Sequence, residues 1–352
     1  MVAPTQPWRL GRRPELDGVR GIAILLVVAG HVFPHGLVNG GAVGVSVFFA
    51  LSGFLITSLL EEARELHGRV SLGRFYERRA RRLLPALVVY LSFWSVLSAL
   101  GIGPYRVTSA EVGAALLYCM NWVMAAGFPV SHPMGITWSL SVEEQFYLLW
   151  PLTFLFGRRW PALPWVVAAA GVAYAVGARL VLWGSAGSAG SIYYRTDTRV
   201  DSLLVGCLVA LAVHRMGVPR RLTGVLPASL LALVALLVVQ GYQVKYLLVP
   251  FVAALATVGL IVSSLVSTRR WLCWTPLRWF GKRSYALYLW HYPLVVMAWS
   301  GIQVMPMWLS VVLALGAAEA SWWIVERPFR KRQLAAPSTA SVDQGTAATP
   351  SP

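Results

Sequence analysis

The chain has 352 residues, of which 57% are hydrophobic and only 12% charged, and its mean hydropathy is +0.63. A water-soluble domain carries about 25% charged residues, so a soluble globular enzyme is excluded, and sixteen Trp fit the aromatic belts of a bilayer interface. The net charge of +16 does not indicate nucleic acid, because the arginines sit in short stretches between apolar runs, which is the positive-inside pattern.

Residues 1–15 read as a basic cytoplasmic segment, with Arg9, Arg12 and Arg13 preceding an uncleaved signal-anchor. Apolar runs long enough to cross follow at 18–37, 42–60, 83–101, 142–157, 163–183, 198–214, 222–240, 246–266, 284–301 and 306–325. They predict an all-α, polytopic membrane helical bundle of about ten transmembrane helices. A further run, 110–128, is interrupted by Asn121 and Gly127 and followed by Pro129. Counting it as a crossing would invert every later basic loop, so it is expected to be a re-entrant or interfacial segment on the outer side. Both termini are then cytoplasmic, in a multi-pass protein of the plasma membrane. The Ala-, Ser-, Thr- and Pro-rich stretch 335–352 reads as a disordered cytoplasmic tail after a single membrane domain, 16–334.

The first span carries Arg20 and His31. Eleven helical steps make three turns plus about 20°, which puts both side chains on one face about 16 Å apart along the axis. Titratable groups at membrane depth are kept where they face a cavity or a partner. His31 is therefore a candidate general base; the structural reading is a histidine bonded to a neighbouring helix with Arg20 as a snorkelling anchor. The basic loop Arg74–Pro85 is a topology signal in itself, with Pro85 suited to the first turn of the next span. Arg79 and Arg82 lie three apart on one face and can clamp a phosphorylated ligand.

Trp138–Tyr147 opens a span from the outer side with adjacent carboxylates, Glu143 and Glu144. One suffices for the helix dipole, and the other suggests a polar site. In the stretch 193–201, Arg199 and Asp201 belong either to a salt-bridge latch or to a site for a hydroxylated acceptor. His291 stands mid-span and by itself reads as a packed histidine, while Glu326 at the last cytoplasmic boundary has arginines to pair with. Cys119, Cys207 and Cys273 are scattered, and no metal-ligand cluster is legible.

Taken in order, LDGVRGIA-x7-GH, FFALSGFLI, RFYERRARRLLP, TWSLSVEEQFY, RTDTRVDSLLVG, GKRSYALYLWHYP and VERPFRK closely resemble the acyltransferase-3 family of membrane acyltransferases, over residues 16 to 331. The resemblance implies transfer of an acyl group, commonly acetyl, from cytosolic acyl-CoA as donor substrate to a hydroxyl of a carbohydrate, lipid-linked or macrocyclic acceptor, with no permanently bound cofactor. It implies that Arg20 and His31 are essential and that Arg79, Arg82 and Glu326 serve acyl-CoA. Glu143, Glu144, Arg199, Asp201 and His291 remain as acceptor or pore polar positions. The C-terminal SGNH esterase-like domain of some relatives has no counterpart here, so a second transfer step is expected to need a separate extracytoplasmic transferase.

Two chemical routes are open for His31: deprotonation of the acceptor, or transient carriage of the acyl group. The rival reading is a transporter or flippase for a lipid-linked or exported small molecule, since polar residues at depth also mark substrate pathways. The loop charges further predict that Glu143 and Glu144 face outward, opposite Arg79, Arg82 and Glu326, so that donor and acceptor enter from different faces.

Overall fold

The computed structural model describes residues 8–37, 39–157, 159–184, 189–218, 224–239, 241, 244–299 and 304–329. The anticipated tail at 335–352 lies outside them, and so do residues 1–7 of the N-terminal segment. Helix α1 spans Pro14–Val32, α2 Gly40–His67 and α3 Leu72–Ala99. Three short helices follow: α4 (Ser109–Leu116), α5 (Met120–Ala125) and α6 (His132–Gly135). Next come α7 (Trp138–Phe156), α8 (Leu163–Gly184), the short α9 (Ala189–Tyr194), α10 (Thr196–Met216) and α11 (Leu226–Val238). A π turn, Val244–Leu248, leads into α12 (Val249–Val266), and α13 (Thr275–Lys282), α14 (Ser284–Trp299) and α15 (Met307–Ser321) complete the bundle, with a second π turn at Trp322–Glu326. No strand occurs among the described residues.

Among the described residues, five helical segments are long and apolar enough to cross a membrane: Gly40–His67, Leu72–Ala99, Leu163–Gly184, Lys245–Val266 and Met307–Phe329. Length and composition thus account for five of the ten anticipated crossings. Helices α1 and α10 have the length but carry Glu15, Asp17 and Arg20, and Asp197, Arg199 and Asp201, respectively. Burial sorts the rest. The apolar stretch of α2 is 83% buried, whereas that of α8 is 17% and that of α15 22% buried, so α2 is central and the other two are peripheral. The peripheral faces expose Val166, Tyr174, Leu180 and Val312, as contact with hydrocarbon allows.

Small residues set the central crossing. A Cβ added to Gly53 of α2 would lie 1.9 Å from the Leu203 carbonyl oxygen of α10, and one added to Gly206 would lie 1.9 Å from that of Ala50. Only two glycines let these backbones approach so closely, as small residues do between membrane helices.

The interrupted run behaves as its charge balance implied. Helix α4 has eight residues and α5 six, about 12 Å and 9 Å at 1.5 Å per residue, so neither crosses about 30 Å of hydrocarbon. Between them Tyr118 takes φ +53°, which breaks the helix. The Gln145 amide donates to the Tyr118 carbonyl at 2.7 Å and to Asn121 at 3.0 Å, and Asn121 donates to Thr196 at 2.9 Å. This ties the segment to α7 and α10. Thr108 and Glu111 cap each other at the start of α4, and the Ser131 N–H also donates to the Glu111 carboxylate.

One local expectation fails. The basic stretch before Pro85 is not a loop: α3 begins at Leu72, and Pro85 lies inside it. Pro removes one helical hydrogen bond, but burial of Phe75 at one end and of Leu87, Tyr90, Leu91 and Trp94 beyond the proline holds the helix together.

Candidate active site

The site follows the antiparallel pair α1 and α2. Gly30 of α1 meets Gly40 and Gly41 of α2 with room for no side chain, which brings the last turn of α1 against the start of α2. His31 stands in that last turn. Its Nδ1 lies 2.8 Å from the Val27 carbonyl oxygen and 3.3 Å from Nε2 of His291. Nδ1 of His291 lies 2.9 Å from the Leu287 carbonyl oxygen. Carbonyls only accept, so each Nδ1 carries the proton and each Nε2 a lone pair. His31 therefore shares its N–H between Val27 and His291, and its Nε2 is left basic. When that nitrogen gains a proton, the imidazolium charge is met by two neutral acceptors.

His31 lines a chamber of about 480 Å³, together with His132, Lys245, Trp138, Tyr193, Tyr194, Tyr288 and Tyr292. The edge of the His31 ring lies against Tyr292, with 4.8 Å between centroids. A second, tighter chamber of about 80 Å³ is lined by Arg20, Arg79, Arg82, Ser52, Glu143 and Tyr147. Val45 and Tyr288 belong to the walls of both chambers. Arg79 and Arg82 also line an open groove of about 1050 Å³, to which Arg69, Arg74 and Arg78 contribute. Groove, inner chamber and outer chamber thus form a series with shared walls.

Within the inner chamber the Glu143 carboxylate accepts hydrogen bonds from Ser52 and Tyr147. The Arg79 guanidinium lies 3.4 Å from the centre of the Tyr147 ring. The Nε–H groups of Arg79 and Arg82 are buried without an acceptor among the described residues. A buried donor left so costs about 1–3 kcal/mol.

The expected separation of carboxylates and arginines onto opposite faces is not found. Glu143 shares a chamber with Arg79 and Arg82, and those two arginines are the cations acting on Glu144. The chain enters the bundle before α7 begins, since Met134, Gly135, Ile136 and Thr137 are all buried. Five further helical residues then carry Glu143 about 7.5 Å deeper. Loop charges report where a span starts and are silent on such an inward approach.

The remaining positions divide. His291 is fully buried and joins His31. Glu326 is buried in the last π turn, which packs on α3. Asp201 is fully buried in a salt bridge of 2.6 Å to Arg179 of α8, whose other nitrogen donates to the Thr198 carbonyl at 2.6 Å. Asp201 lines neither chamber, which is the latch arrangement. Arg195 and Asp197 form a second, half-exposed pair at 2.6 Å. Arg199 is fully buried among Phe49, Trp138 and Tyr193. His132, Lys245, Tyr288 and Tyr292 line the outer chamber without having stood out in the sequence. His132 opens the four-residue helix α6 and Lys245 lies in a π turn, where no periodicity marks a face.

Residues 13–327 match the Acyltransferase domain of the acyltransferase-3 family. The peptidoglycan O-acetyltransferase OatA of Listeria monocytogenes is 31% identical over 352 residues, covering 90% of this chain and 56% of that protein. The O-acetyltransferase OatA of Staphylococcus aureus is 31% identical over 349 residues, covering 91% and 57%. The chain thus spans about half the length of these curated relatives, and no solved structure matches it. With a family match from residue 13 to residue 327, the chain belongs to the acyltransferase-3 family.

Proposed function

We propose that this chain is a membrane O-acyltransferase that moves an acyl group, acetyl in the first instance, from cytosolic acyl-CoA to a hydroxyl of a glycan acceptor. The observation that carries the reading is the unprotonated Nε2 of His31, which stands at a chamber joined through Tyr288 to a second one lined by Arg20, Arg79 and Arg82. In this reading the basic groove, lined by Arg69, Arg74, Arg78, Arg79 and Arg82, takes the phosphates of the donor. The thioester reaches through the inner chamber toward His31. The names of the relatives, O-acetyltransferases of which one acts on peptidoglycan, support acetyl as the group and a cell-wall glycan as the acceptor.

His31 Nε2 takes the proton of the acceptor hydroxyl as its oxygen attacks the thioester carbon. The tetrahedral adduct collapses with cleavage of the C–S bond, and the imidazolium returns its proton to the departing thiolate. An O-ester and free CoA result, and His31 is regenerated. Sharing of the Nδ1–H between Val27 and His291 holds the ring in one tautomer through the cycle. The same reading sets about ten crossings in the plasma membrane, with the groove and both termini on the cytoplasmic side.

The purified chain in lipid nanodiscs, given acetyl-CoA and a hydroxylated glycan, is expected to release free CoA in proportion to ester formed. A general base contributes about 10²–10⁴ in rate, so His31→Ala is expected to lose at least about a hundredfold while keeping its thermal unfolding profile. Ester formation by that variant at close to the original rate refutes the assignment. A transporter or flippase would release no CoA from either form.

A further inference from the structure

The outer chamber carries a charge that the acyl-transfer chemistry does not use. That charge is Lys245; the wall also holds the imidazoles of His31 and His132, and no Asp or Glu among the described residues. Lys245 enters the chamber beside Tyr246, with Nζ 5.7 Å from that ring. Immediately behind the wall stands Arg199, with its guanidinium carbon 4.8 Å from the ring of Tyr193 and 5.7 Å from that of Trp138, both lining residues. Arg199 is fully buried. Its Nε and one terminal nitrogen have no acceptor among the described residues, and the other donates to Ser46 at 3.4 Å.

The nearby carboxylates do not balance it. Asp201 is engaged by Arg179 at 2.6 Å and Asp197 by Arg195 at 2.6 Å. A buried cation without a counter-ion is expensive, and proteins keep one where something else supplies the negative charge. The aromatic side chains Trp138, Tyr193, Tyr194 and Tyr292 line the same chamber, and rings with a polar edge suit a ligand that is part apolar and part hydroxylated. A volume of about 480 Å³ falls in the range of a small-ligand site of about 300–1,000 Å³.

We infer that the outer chamber is a binding site for an anionic glycan, a sugar bearing a carboxylate or a phosphate, with Lys245 receiving the anion, Arg199 supplying background positive potential and His31 facing the hydroxyl. The inference rests on the acyltransferase reading for what happens to the glycan, but binding itself is independent of turnover.

Calorimetry on the full purified chain at low salt, with no acyl-CoA present, tests it. The probes are N-acetylmuramic acid, its neutral methyl ester, N-acetylglucosamine and N-acetylglucosamine 1-phosphate. Removing one hydrogen-bonded charge from such a pair is expected to weaken binding at least about tenfold. At least one anionic probe should therefore bind that much more tightly than its neutral counterpart, and which one does so distinguishes carboxylate from phosphate. Lys245→Gln should remove the preference while leaving the neutral sugars as they were, and Lys245→Arg should keep it. Equal binding of charged and neutral probes, a preference that survives in Lys245→Gln, or no binding of any probe overturns the inference. His31→Ala should retain the preference, so a failure of acyl transfer and a failure of this site are told apart.

Discussion

The Arg179–Asp201 pair offers the sharpest test of which polar residues hold the bundle and which serve the chambers. Both side chains are out of solvent, 2% and 0% exposed, and their atoms meet at 2.6 Å. Asp201→Asn would remove the carboxylate that pairs with Arg179 while leaving its hydrogen bond to Thr198. Breaking a buried pair from one side costs about 3–5 kcal/mol, a factor of about 10² to several thousand in the folding equilibrium. The upper end is expected here, because the uncompensated Arg199 lies near and a second unpaired cation would join it. Thermal aggregation of the detergent-solubilised chain, followed by fluorescence-detected size exclusion, reads this as loss of the monodisperse peak at lower temperature.

Arg179→Met combined with Asp201→Leu removes both charges and should recover most of that loss, since buried ion pairs replaced by apolar residues are often neutral or better. If the pair is only a latch, the double variant also recovers acyl transfer. A double variant as unstable as the single one, or one that is stable yet inactive, refutes this reasoning and returns Asp201 to the acceptor site.

Replacing Arg79 and Arg82 with Gln is expected to raise the KM for acetyl-CoA at least about tenfold with little change in acceptor KM, since each charge-assisted contact is worth about 1.5–3 kcal/mol, and Lys at both positions should rescue only in part because it lacks the fork; steady-state kinetics with each substrate varied checks both. Burial works against the charge of Glu111, but hydrogen bonds from the Ser131 and Thr108 N–H groups outweigh it and hold the carboxyl below its ordinary range. A carboxyl lowered on folding stabilises above its unfolded pKa, and that contribution is lost as pH falls through the folded one. Amide protection factors in the 108–135 segment, corrected for the intrinsic exchange rate at each pH, should therefore fall as the solution is acidified below the ordinary carboxylate range, and Glu111→Gln should show the lower protection already at neutral pH with a flatter pH dependence.

Much of the frame was legible in the order of residues. Runs of apolar residues bounded by Gly, Pro and Arg locate most of the long helices to within a few positions, because satisfying backbone hydrogen bonds without water leaves few alternatives to helix; α2 (Gly40–His67) runs well past the expected end at 60, and α3 (Leu72–Ala99) starts well before the expected 83. Loop charge identified 110–128 as non-crossing, and the short helices α4 and α5 bear this out. The Arg20–His31 spacing placed both on one face, since the helical repeat is local. The basic stretch before Pro85 reads as a loop because dense arginines hide the helical period: the inward face of this part of α3 carries Phe75 together with Arg79 and Arg82.

What tertiary structure alone decided is which polar groups meet. His31 and His291 are 260 residues apart and share a hydrogen bond. Glu143 keeps company with Arg79 because the chain before α7 dives into the bundle, not because of any signal in its own helix. Of the two carboxylates flanking Arg199, Asp197 pairs locally and Asp201 reaches across to Arg179. Periodicity assigns a side chain to a face but not to a partner. At membrane depth the partner determines whether a charge is a latch, a base or a waiting site, because the low dielectric makes every such pairing, and every absence of one, costly.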